Sequence, residues 1–167
     1  MMTQGPQLDA FQSAGAVPKL IRASKTFTGA TNYGEVGTNP LFTVTGKILV
    51  YGMWVMCTTD MADSVDGATF TIGVVGDADC MADWTAVDLD TLDAGEGVAM
   101  DGAATGVLPN IGSTSANTLG AVSGIAANII MTVATQNITG GVLEFYLSWA
   151  PLSASASVSL GTGMVAL

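Results

Sequence analysis

The residues able to do chemistry in this chain are nearly all carboxylates: fourteen Asp and Glu against four Lys and Arg, and no His. They gather as Asp60/Asp63/Asp66, Asp77/Asp79/Asp83 and Asp88/Asp90/Asp93. Asp77, Asp79 and Asp83 could offer oxygens to Ca²⁺, but the glycine and distal glutamate of an EF-hand loop are absent. Two carboxylates could also serve glycoside hydrolysis, yet aromatics are only 7% of the chain and its one arginine is Arg22. Without histidine the commonest general base and metal ligand is missing. Gly34, Gly37 and Gly46 fit neither common phosphate-cradling fingerprint. Cys57 and Cys80 have no metal-ligand spacing and read as buried free thiols. Asn137-Ile138-Thr139 is a glycosylation sequon in a chain with no secretion signal. The residues therefore predict solvated loop acids, no catalytic, cofactor-binding or metal site, and no enzyme.

The elements that carry these residues are poor in charge. Hydrophobic residues are 49% of the 167 positions and charged residues 11%, well under the usual quarter or so. This is one domain, long enough for a real core. A chain this weakly charged must either associate or wet its surface with Thr, Ser and Gly. No run reaches the roughly 18 apolar residues of a membrane helix. The first residues lack the basic and apolar segments of a signal peptide, so cytoplasmic synthesis is expected. All four cations (Lys19, Arg22, Lys25 and Lys47) fall in the first 47 positions, with Asp9 and Glu35 as the acids there, a net of +2. The remaining 120 residues carry twelve acids and no base. That excludes nucleic acid as a partner of the body and suits a basic N-terminal segment docking on an acidic surface.

Along the chain, residues 1–18 read as an arm around Leu8 and Phe11, and 19–167 as one domain. Lys19–Thr28 suits a first strand, followed by a Gly- and Asn-rich loop. Asn39–Thr58 reads as one long central strand, bent at Gly46 and Gly52. At a period of two, its even side (Phe42, Val44, Ile48, Val50, Trp54 and Met56) is expected in the core. Its odd side (Leu49, Tyr51, Met53 and Val55) is a second apolar face, expected against another sheet or another subunit. After an acidic loop, Ala68–Val75 alternates as a strand, Phe70, Ile72 and Val74 inward and Thr69 and Thr71 outward, and is expected to form a hairpin with the central one. Gly76–Asp83 reads as a second acidic loop, 84–92 and 98–100 as weak strands, and 101–118 as a long excursion. Asn128–Gln136 and Val142–Ala150 are strong strands joined by a turn. The first places Ile129, Met131 and Val133 inward; the second places Leu143, Phe145, Leu147 and Trp149 inward, with Glu144 and Ser148 outward. A tail with one further short strand follows Pro151. Two of the three tryptophans, Trp54 and Trp149, lie at inward positions and read as core rather than as a sugar platform. The whole predicts an all-β, antiparallel β-sandwich, jelly-roll-like, of seven to nine strands with an N-terminal arm.

Three segments, TGATNYGEVGTNPLFTVTGKILV, DGATFTIGVVGDAD and NIIMTVATQNITGGVLEFYLSWAPLSA, resemble a recurrent type of small β-rich virion structural protein of tailed bacteriophages. The likeness spans roughly residues 27–154 and brings no catalytic motif. It implies a capsid decoration (cement) protein on the head surface of the virion, made in the bacterial cytoplasm. It further implies the major capsid protein as partner, a homo-oligomer with a trimer favoured, and neither nucleic acid nor membrane. The interface residues expected on this reading are Leu8, Phe11, Lys19, Arg22, Lys25, Leu49, Tyr51, Met53 and Val55. The rivals are a tail or head–tail connector component, and a carbohydrate- or Ca²⁺-binding sandwich module for host attachment.

Overall fold

The computed structural model describes residues 17–65, 67–84, 92–99 and 126–167. Their ten strands are β1 (Lys19–Thr26), β2 (Gly37–Thr45), β3 (Ile48–Asp63), β4 (Thr69–Val74), β5 (Asp77–Trp84), β6 (Gly97–Ala99), β7 (Ile129–Ala134), β8 (Ile138–Pro151), β9 (Ser157–Leu160) and β10 (Met164–Ala166). They form two five-stranded sheets, β10-β1-β8-β3-β6 and β5-β4-β7-β2-β9, here called the first and second sheet. Every pairing is antiparallel.

The pairings are nested. β1 lies on β8, β2 on β7, β3 on β6 and β4 on β5, as in a long ribbon folded once at the β4–β5 turn. Lateral pairing of β3 with β8 and of β4 with β7 rolls that ribbon into two layers. That is the jelly-roll topology, with β9 and β10 added on the outer sides of β2 and β1. The expected sandwich is present, with one more strand than the upper expectation.

The core lies between the sheets. The long strands alternate, so β8 turns Leu143, Phe145, Leu147 and Trp149 inward, while β4 and β7 oppose them with Phe70, Ile72, Met131 and Val133. These inward positions match the sequence expectation because period-two alternation needs only local reading.

Three connections differ from that expectation. The Asn39–Thr58 stretch is two strands in different sheets, broken at Gly46, whose φ of +69° is left-handed and where a Cβ would lie 2.6 Å from the Ser153 hydroxyl. The expected hairpins between the central stretch and 68–75, and between β7 and β8, are instead crossings from one sheet to the other. A short polar turn is compatible with either, because the choice depends on which sheet buries the next apolar face. Gly76–Asp83, expected as a loop, forms most of β5, hairpinned to β4 through Val75–Gly76. Its acids suit an edge strand, where charge opposes further strand pairing. The expected strand over 84–92 and excursion over 101–118 fall largely or wholly outside the described residues.

Candidate interaction surface

The parity of β3 decides which side chains reach the surface. Ile48 and Val50 are buried at even positions; Met53, Val55 and Cys57 are buried at odd ones. Between them the register with β8 shifts, Val50 facing Trp149 and Gly52 facing Ser148. The extra residue is Tyr51, half exposed at 51%. A bulge of this kind reverses every side chain beyond it.

Consequently Trp54, expected in the core, stands outside at 48% exposure with Met56 at 41%, while Met53 and Val55 fill the space between the sheets. The expectation of an even-numbered core is corrected beyond residue 52, and Met53 and Val55 face the second sheet rather than a partner. Of the rest of that side, Leu49 is half-buried opposite Ala150, and Tyr51 is on the surface.

On the outer face of the first sheet the registers set side chains in rows across β1, β8 and β3. Leu20, Ser148 and Gly52 make one row, Arg22, Tyr146 and Trp54 the next, and Ser24, Glu144 and Met56 a third. The Arg22 guanidinium carbon lies 5.1 Å from the Tyr146 ring centroid, close enough for cation–π attraction. The Tyr146 hydroxyl donates to the Glu144 carboxylate. A Cβ on Gly52 would lie 3.7 Å from the Trp54 benzo ring, so the indole lies along the strand over the residue with no side chain. Leu20 at 59% and Val165 at 64% exposure extend the apolar area to the β10 edge. Trp, Tyr, Arg and Met are the types enriched in protein interfaces. Nothing here offers a nucleophile beside a base; the face can stack, exclude water and orient one cation and one anion.

The other expected interface cations separate. Lys19 is exposed on the inner side at the end of β1, its Nζ 5.0 Å from the Trp149 ring centroid. Lys25 is fully buried and so is corrected from a docking cation to a core one. Its Nζ donates to the Pro40 carbonyl at 3.2 Å and the Thr162 carbonyl at 3.0 Å, and sits 5.6 Å from the Tyr33 ring centroid. It thus ties β1 to β2 in the other sheet and to the β9–β10 turn. Desolvation by burial lowers its pKa to about 8. Leu8 and Phe11 lie outside the described residues.

The sequence reading missed Leu20, Trp54, Met56 and Tyr146. Tyr146 was legible, since it alternates outward with Glu144 and Ser148. Trp54 was not, because only the bulge at Tyr51–Gly52 turns it out.

Elsewhere among the described residues the titratable groups make no competing site. The Cys57 thiol, buried, is raised in pKa chiefly by desolvation, and lies 3.1 Å from the Thr59 carbonyl. Asp77 is raised by desolvation and by its hydrogen bond to Asp79. Among the described residues no group of three or more His, Cys, Asp or Glu is placed to hold a metal ion, and no helix is long and apolar enough to cross a membrane.

No protein-family model matches the sequence, and no curated protein matches it. A solved chain of the cyanophage Pam1 capsid asymmetric unit is similar over 80% of this chain and 84% of its own length, at 17% identity and a TM-score of 0.48.

Proposed function

We propose that this chain is a non-enzymatic structural protein of a phage virion, a decoration protein that binds the head surface and stabilises the shell by bridging its subunits. The observation that carries the reading is the outer face of the first sheet. Among the described residues, the sandwich sets Trp54, Tyr146, Met56 and Leu20 together on the outer face of the first sheet, and such a face is a contact surface rather than a reaction site. The jelly-roll topology, common in capsid and lectin domains, and the segment resemblance support it. A fold alone does not assign a role.

Copy number tests the reading. Quantitative mass spectrometry of purified particles should find hundreds of copies, in proportion to the major capsid protein. A handful per particle would overturn it in favour of a connector or tail component. Deleting residues 1–18 should lower occupancy on particles while the isolated domain keeps its circular dichroism; unchanged occupancy removes the arm from the contact.

A second reading has one observation in its favour. An indole lying along a sheet beside Arg22, Glu144 and Ser148 is also what a sugar ring stacks on. A host-attachment module predicts saturable binding to oligosaccharides, lost in Trp54→Ala; flat titrations across an oligosaccharide panel would remove it.

A further inference from the structure

We infer that residues 157–166 are a strap that opens as one unit while the rest of the sandwich stays folded, with Lys25 as its lock. The inference is independent of the virion reading.

The sheet orders set the position of the strap. β9 is the outer neighbour of β2 in the second sheet, and β10 the outer neighbour of β1 in the first. Residues 161–163 therefore carry the chain from one sheet to the other, across the side of the sandwich where β1 and β2 lie. The crossing is close-fitted. The Gly161 amide donates to the Leu41 carbonyl at 2.8 Å. Gly163, at a φ of +79°, passes the Tyr33 ring so closely that a Cβ would lie 2.8 Å from it.

Little holds the strap beyond that crossing. β9 has four residues and β10 three, where β8 has fourteen. Met164 is the strap's one buried side chain; Val158 and Leu160 are half-buried, and Ser157, Ser159, Val165 and Ala166 are exposed. Short pairing and few buried apolar groups give a segment a low free energy of local opening.

Lys25 reaches the crossing from inside. Its ammonium donates to the Thr162 carbonyl of the strap and to the Pro40 carbonyl of β2, so it fastens the crossing to the second sheet. Around it, β2, β9 and β10 carry no charged side chain. β8 sets Leu143 opposite Lys25, while Glu144 and Arg22 belong to the other face of the sheet. The loop after β1 brings the Tyr33 ring, with Glu35 exposed. A buried amine in such company gives up its proton at about pH 8. Opening returns it to water and to its ordinary basicity, so between pH 8 and 10.5 opening takes up a proton and grows rarer as pH rises. Opening also bares the edges of β1 and β2 together, so one side chain governs the access of any further strand to that side of both sheets.

The test is acetylation of the intact chain by an N-hydroxysuccinimide ester, with peptide mass spectrometry reading Lys25 against Lys19 and Lys47, both exposed. Lys25 should react about tenfold or more slowly than either at pH 8. The ratio of its rate to theirs should fall about a further tenfold or more by pH 10. In urea below the unfolding midpoint, Lys25 labelling should rise more shallowly than hydrogen exchange at the Phe145 and Leu147 amides, because the strap exposes little surface. Gly163→Ala, whose methyl group meets the Tyr33 ring, should speed Lys25 labelling about tenfold and leave those two amides unchanged. Leu147→Ala should instead speed both together. Lys25 reacting as fast as Lys19, or a ratio flat with pH, overturns the lock. Equal urea slopes, or parallel acceleration in Gly163→Ala, overturn the separate opening; the urea comparison uses the unsubstituted chain and decides even where that variant does not fold.

Discussion

Both faces of the first sheet are apolar at their centres, yet among the described residues only one is covered by a second layer. On the inside, Met53, Val55, Phe145 and Leu147 are buried against the second sheet. On the outside, Trp54, Tyr146 and Met56 have the same neighbours along the strands, and no layer of the described residues covers them. The inner residues are drawn from water by packing within the chain, so their contribution appears as folding stability. The outer residues remain half in water, so whatever they contribute appears on association. One strand, β3, supplies both sets, and the bulge at Tyr51–Gly52 decides which residue belongs to which.

Removing the bulge breaks this division most severely. Deleting Tyr51 reverses the parity beyond it, driving Trp54 and Met56 inward and Met53, Val55 and Cys57 outward. The cost should exceed about 5 kcal/mol, enough to unfold a domain of ordinary stability, read as lost cooperativity in urea denaturation. A variant melting like the parent would show that β3 holds its register without the extra residue.

Truncation on each face sharpens the contrast at adjacent positions of β8. Phe145→Ala, from a fully buried site, should cost about 3–5 kcal/mol by chemical denaturation. Tyr146→Ala, on the other face, should cost about 1 kcal/mol or less at monomeric concentrations. Equal losses would mean that the outer face is as sealed as the inner.

The smallest effect is a pH dependence carried by Lys25, the buried cation of β1. Lys25, with its pKa lowered to about 8 from 10.5, sheds its proton in the folded state before the unfolded chain does. Between pH 8 and 10.5 the unfolded state therefore binds more protons, so this group adds stability as pH rises through that window and none of this dependence below it. Urea midpoints of the parent relative to Lys25→Met should climb across the window. Parallel curves would show that Lys25 is hydrated in the folded protein.

Much of the fold was legible. Alternation placed Phe70, Ile72, Ile129, Met131, Val133, Leu143, Phe145 and Leu147 correctly in the core, because a strand's two faces are fixed by its own residue order. The candidate face was half legible: Arg22 and Tyr51 were marked, while Trp54 was assigned inward and Lys25 outward. Lys25 reads as a surface cation in any sequence, since its burial depends on carbonyls of Pro40 and Thr162, the latter 137 residues away.

What the residue order determined by itself was local: where strands run, which side chains alternate, that the chain lacks histidine, and that its cations lie near one terminus. What the tertiary structure decided was non-local. It chose sheet crossing over hairpin at Gly46, reversed β3 at Tyr51, buried Lys25, and drew the acids of residues 60–63 and 93–96 together at one end of a sheet with Lys19 and Lys47 at the other. Each depends on which apolar faces meet across the sandwich, and that is settled only when both sheets are present to bury them.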